Sequence, residues 1–148
     1  MSSFIHESDF STLIREELIE RLESKFSYTR FSGATSMAVS QVKNYLADRY
    51  DIETIFQAYD VLPDPDPRNA HILMIVLDCA IYHIYTANAP NKMPQFRSLR
   101  YADALEWLKD VGKGKMSADL PTKMIGENKD KAETGIRITS RPPVNHRW

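Results

Sequence analysis

The sequence predicts a mainly α protein: a small bundle of about five helices, then a long extended arm with room for one short β-strand or hairpin. Three observations lead there. Apolar residues recur at three- and four-residue spacings through positions 1–112. No segment in that range sustains the two-residue alternation that a sheet core requires. Past Gly114 large apolar residues become scarce while charges and prolines persist, so this part cannot build a core of its own. The expected division is a helical bundle over 1–114 and an extended basic C-terminal arm over 115–148.

The first helical stretch carries Phe10, Leu13, Ile14, Leu18 and Leu22 at helical spacing, with Ser8 or Asp9 available as N-cap. Arg15, Glu16, Glu20 and Glu23 occupy the opposite positions, giving one amphipathic helix or two short ones. Gly33 falls in a polar stretch, SYTRFSGATS, which suggests a loop. A second helix is expected from about Ser36, with Met37, Val39, Val42, Leu46 and Tyr50 on its apolar face. Asp51–Tyr59 suits a short third helix, because Ile52, Ile55, Phe56 and Tyr59 share helical spacing.

The run LPDPDPRN, with three prolines in five residues, breaks any helix, yet Asp66-Pro67 fits an N-cap followed by proline at the first helical position. The next helix, about 67–87, is apolar nearly all round and is expected at the centre of the bundle. Ile72, Val76, Ala80 and Ile84 are its core candidates. Asn88-Ala89-Pro90-Asn91 ends it. The last long helix spans about 96–111, with Leu99, Leu105, Leu108 and Val111 inward and Trp107 at an edge. Gly112 fits the left-handed position after the helix, and Lys109, Lys113 and Lys115 suit its negative end.

At 148 residues and 17.0 kDa the chain fits one domain. The longest unbroken apolar run, Ile72–Leu77, is far shorter than the ~20 residues a membrane span needs, so no membrane association is expected. The opening MSSFIHESDF lacks the basic and apolar regions of a secretory signal. A lone cysteine, Cys79, allows no internal disulfide and fits a reducing, cytosolic compartment. Net charge is −1 but uneven. Residues 1–112 carry 11 basic and 16 acidic side chains, whereas 113–148 carry 8 basic and 4 acidic. An acidic body with a basic tail suggests self-association, or an acidic or phosphate partner.

Little in the chain suggests chemistry, and no catalytic residue is assigned. His71 and Asp78 are seven apart and His83 is five further, poor spacings for helix-borne metal ligands, so neither a metal nor another cofactor is expected. GKGK at 112–115 lacks the phosphate-loop pattern and follows a helix. Cys79 lies among apolar residues with no nearby cation and reads as a small hydrophobe. Ile136 and Ile138 alternate with Arg137 and Thr139, a pattern that could add an edge strand to another chain.

Two patterns carry a family resemblance: D-x-A-x-Y-x-x-Y at 78–85 and R-Y-x-D-A-x-x-W-L-x-D-V-x-x-G-K at 100–115. With FIHESDF near the start, residues 4–121 resemble the Mu-like family of phage head-to-tail connector, or head-completion, proteins. The resemblance implies a structural virion protein and not an enzyme. It implies a homo-oligomeric ring, with a dodecamer expected, bound to the portal protein and to downstream neck and tail proteins. Genomic DNA would pass through the channel without specific binding. The expected location is the virion neck, with the host cytoplasm during assembly. Ile136, Arg137, Ile138, Arg141, Arg147 and Trp148 are the arm residues expected at a partner or subunit interface. The alternative is a nucleic-acid-binding helical module that uses the basic tail, which would bind DNA with strong salt dependence.

Overall fold

The computed structural model describes residues 2–12, 28–88 and 90–123. Its described residues are mainly helical, with four α-helices, two short 3-10 turns and no strand. The expectation of a helical bundle holds, with four helices among the described residues against about five expected for the whole chain.

Of the first stretch, Glu7–Thr12 forms a 3-10 turn, and the helix expected to continue through Leu22 lies outside the described residues. Asp9 is not the N-cap. It sits inside the turn and reaches back, its Oδ2 accepting from the His6 N–H at 2.7 Å. Its carboxylate is buried and paired, with Arg68 donating to both oxygens at 2.7 and 2.8 Å and also to the Phe4 carbonyl at 2.7 Å. That ion pair ties the opening segment to the proline-rich linker. Ser3 and Tyr59 add a pair of backbone hydrogen bonds, each 3.0 Å.

The first long helix, α1 (Tyr28–Leu46), starts well before Ser36 and includes Gly33, where a loop was expected. A glycine inside a helix costs only about 1 kcal/mol relative to alanine, which packing elsewhere on the helix can outweigh. The inward row is Ala34, Ala38, Val42 and Leu46, each one turn from the last and all buried. Met37, expected inward, is 60% exposed, because it lies about a third of a turn from that row. Tyr50 is buried but stands beyond the helix end.

Helix α2 (Ile52–Ile55) is a single turn rather than a helix to Tyr59. Asp51 caps it, accepting from the Thr54 N–H at 3.3 Å and the Thr54 hydroxyl at 2.7 Å. Helix α3 (Ala70–Asn88) begins later than expected. Its cap is Asn69, whose Oδ1 accepts from the N–H groups of His71 and Ile72, both at 3.0 Å. Asp66 is instead engaged by Arg68, at 2.6–3.1 Å through Nε and Nη2, and so does not cap. By length and composition, Ala70–Ala87 could cross a membrane, a possibility the short apolar run hid, although 56% of that window is buried inside the protein. Ile72, Val76, Ala80 and Ile84 all lie in the core.

Helix α4 (Gln95–Gly112) buries Arg97, Ala104, Leu108 and Val111. Leu105 is half-buried against the core. Leu99, expected inward, is 57% exposed, because two residues from Arg97 is about 200° around the helix. Gly112 is not the left-handed residue; that role falls to Gly114, with φ of 78°. The Lys115 N–H reaches the Asp110 carbonyl at 2.9 Å and the Gly114 N–H reaches that of Val111 at 3.2 Å, which is a Schellman ending.

Residues 116–123 fold back on the bundle, so the body runs past the boundary expected at 114. Ala118 and Leu120 pack on the core, and the Ala118 N–H donates to the Tyr50 hydroxyl at 3.1 Å. The Asp51 backbone N–H donates to the Pro121 carbonyl at 2.9 Å and the Lys123 backbone N–H to that of Arg49 at 3.2 Å. Tyr50, held between these bonds, supplies the apolar surface that the polar segment lacks.

Candidate functional site

The resemblance-bearing residues of α3 and α4 meet along one seam. Asp78, in the middle of the most apolar helix, is 4% exposed. A buried carboxylate needs a cation, and α4 supplies two. Arg100 donates through Nε to Oδ1 at 2.8 Å and through Nη2 to Oδ2 at 2.9 Å, a two-pronged grip. Arg97, one turn earlier, places Nη1 3.7 Å from Oδ1. The hydrogen bonds to Asp78 hold Arg100 above the usual guanidinium range. Burial pulls Arg97 below it, with Asp78 opposing.

One turn along, the rings of Tyr82 and Tyr101 stack with centroids 3.8 Å apart and planes 2° from parallel. The Tyr101 hydroxyl accepts from Gln41 Nε2 at 3.0 Å, and Gln41 Oε1 accepts from His83 Nε2–H at 2.9 Å. Gln41 lies on α1, so this chain of polar groups joins all three long helices. Burial holds His83 below its ordinary pKa of 6.5. The neutral imidazole therefore serves as a hydrogen-bond donor in the seam.

This arrangement fixes helices against one another. Asp78 is occupied by the two arginines, His83 by Gln41, and His71 lies edge-on to Trp107 with centroids 4.5 Å apart. The three therefore sit in separate surroundings, and among the described residues no group of three or more His, Cys, Asp or Glu could hold a metal ion. The Cys79 thiol is pushed up to about 12, first by burial and then by the Asp78 charge, so it stays protonated at neutral pH. GKGK at 112–115 is the helix ending: Gly114 takes the positive φ, and Arg49 Nη1 donates to the Val111 carbonyl at 3.1 Å beside it.

The outer face of α4 contrasts with the seam. Phe96 and Leu99 are 54% and 57% exposed, and Asp103 and Glu106 continue the same line into solvent. Ile136, Arg137, Ile138, Arg141, Arg147 and Trp148, the expected arm interface, lie outside the described residues. Arg97, Arg100 and Gln41 are the seam residues that sequence reasoning missed. A signal for the arginines existed: an acid inside an apolar helix demands a cation, and Arg97 and Arg100 stand three apart on the next helix. Gln41 had no comparable signal, because its partners come from two other helices.

Nearly every residue of the 100–115 pattern has a place in this geometry. Arg100 grips Asp78, Tyr101 stacks on Tyr82, and Ala104, Leu108 and Val111 fill the core. Trp107 meets His71, and Gly114 with Lys115 completes the helix ending. No curated protein and no solved structure matches the chain. A protein-family model described as Bacteriophage Mu, Gp36 matches residues 1–136, running past Pro121, where the resemblance stopped. With that match spanning the seam, both patterns and the start of the arm, the chain belongs to the bacteriophage Mu Gp36 family.

Proposed function

We propose that this protein is a head-to-tail connector, a ring-forming adaptor that binds beneath the portal and continues the DNA channel towards the tail. As a member of the Mu Gp36 family it is a phage structural or morphogenesis protein, at work in the virion or the infected cell. The observation that carries the finer reading is the use to which the family-like residues are put. Asp78, Tyr82, Arg100 and Tyr101 lock α3 to α4, so the pattern specifies a rigid shape. A rigid wedge with a basic arm is what a ring of identical copies needs: the wedge sets the angle between neighbours and the arm links them. The acidic balance of residues 1–112 suits a channel wall, because like charge keeps DNA from adhering.

On this reading the protein sits in the virion neck, contacts portal and downstream neck proteins, and carries out no reaction of its own. The test is a native mass measurement of the full chain, alone and with the portal protein. A closed ring of copies on the portal is expected, and a monomer under both conditions overturns the proposal. So does tight DNA binding whose affinity falls steeply with salt, which belongs to a nucleic-acid-binding module.

A further inference from the structure

The outer face of α4 has a pattern that the fold leaves largely in solvent. Phe96, Leu99, Asp103 and Glu106 follow one another at spacings of three, four and three, which places them in one line along the helix. The buried row, Arg97, Ala104, Leu108 and Val111, is centred about a third of a turn away, with the Arg97 guanidinium 4.9 Å from the centre of the Phe96 ring. The line is half apolar and half acidic. Phe96 and Leu99 are more than half exposed, and Asp103 and Glu106 stand in solvent, with Asp103 adding its field to that of Asp78 on Arg100. A two-part stripe of this kind fits an occupant that is itself apolar and basic.

The chain contains such a segment. From Ile136 to Trp148 it carries Arg137, Arg141 and Arg147 without one acidic residue, together with Ile136, Ile138 and Trp148. We propose that the Phe96–Leu99–Asp103–Glu106 stripe of α4 is the docking surface for residues 136–148 of a neighbouring copy.

The point of exit and the length of chain beyond it put a neighbour within reach. Lys123 is bonded to Arg49, and Arg49 donates to the Val111 carbonyl, so the chain leaves the body beside the end of α4. Residues 124–135 then span up to ~40 Å when extended. A body of this size is on the order of 35 Å across. That spacer is long enough to carry Ile136 to the stripe of the next copy. This surface deepens the connector reading and rests on it for the neighbour's presence.

The test uses two full-length variants, Leu99→Cys and Ile138→Cys, mixed and mildly oxidised; the native Cys79 is buried and does not compete. A disulfide-linked heterodimer is expected on a non-reducing gel. Adding Asp103→Lys and Glu106→Lys to the Leu99→Cys chain should reduce its yield at least tenfold. Adding Arg137→Glu and Arg141→Glu to the other chain should then restore it. The stripe positions are exposed, so unchanged thermal midpoints confirm that each variant is folded. Absence of the heterodimer, or a yield indifferent to the charge changes, overturns the proposal. So does a disulfide that forms only within a chain carrying both cysteines. If rings form on the portal while cross-linking fails, the docking surface is wrong and the connector reading survives. If cross-linking follows the charges while no ring forms, the reverse holds.

Discussion

Gly112 lies in the last turn of α4, where a β-carbon would stand 2.5 Å from the Tyr45 carbonyl oxygen of α1. The neighbour is backbone, so one helix would have to move. Gly112→Ala is therefore expected to destabilise by about 1–3 kcal/mol, outweighing alanine's better helix propensity. Gly33 is the contrasting case, with nothing within 4 Å of its would-be β-carbon. Gly33→Ala should stabilise by about 0.5–1 kcal/mol, the propensity gain alone. Thermal denaturation of the two variants checks both signs. At Asp78 the cost comes from the partners left behind. Asp78→Ala removes the carboxylate that faces the buried Arg97 and should cost about 3–5 kcal/mol by denaturant titration. Arg100→Ala should cost less, because the Arg100 side chain is 39% exposed and Arg97 still faces Asp78.

Helices α1, α3 and α4 join through small residues and one polar chain. Ala34 and Ala38 on α1, Cys79 and Ala80 on α3, and Ala104 on α4 are all buried, which lets backbones approach closely. The Gln41–His83–Tyr101 chain then fixes the register in which they approach. Its titration has a definite sign. His83 is held below 6.5, so the unfolded chain takes up a proton at a higher pH than the folded one. The stabilising contribution is complete above about 6.5 and is lost as pH falls from there through the lowered folded value. His83→Gln removes that titration, so its thermal midpoint should vary less than the wild type's between about pH 7 and pH 5. A wild-type midpoint that rises over that interval contradicts the assignment.

For the whole molecule, body and arm meet later than composition suggests. Residues 116–123 contribute Ala118 and Leu120 to the packed surface and several hydrogen bonds to the segment around Tyr50. A chain stopped after Lys123 should keep its thermal midpoint and lose ring assembly on the portal. A chain stopped after Lys115 should also melt several degrees lower, because Tyr50 loses its cover. Equal midpoints for the two truncations would show that 116–123 adds nothing to the body.

Local patterns in the sequence were enough for the helical class, the central place of 70–88 and its core positions Ile72, Val76, Ala80 and Ile84. Helical periodicity and an apolar surface all round a helix are properties of one segment and need no knowledge of its neighbours. What each helix turns inward was less legible. Met37 and Leu99 are apolar yet exposed, because the close-packed rows belong to the alanines of α1 and to the Arg97 row of α4. The caps followed the same division: Asp66 has the right residue type, but Arg68, itself drawn to Asp9, claims it and leaves the cap to Asn69. Only the tertiary structure decided these points, along with the Asp78–Arg100 grip and the Gly112 contact. Each depends on the distance between segments far apart in the chain, which single-segment periodicity does not encode.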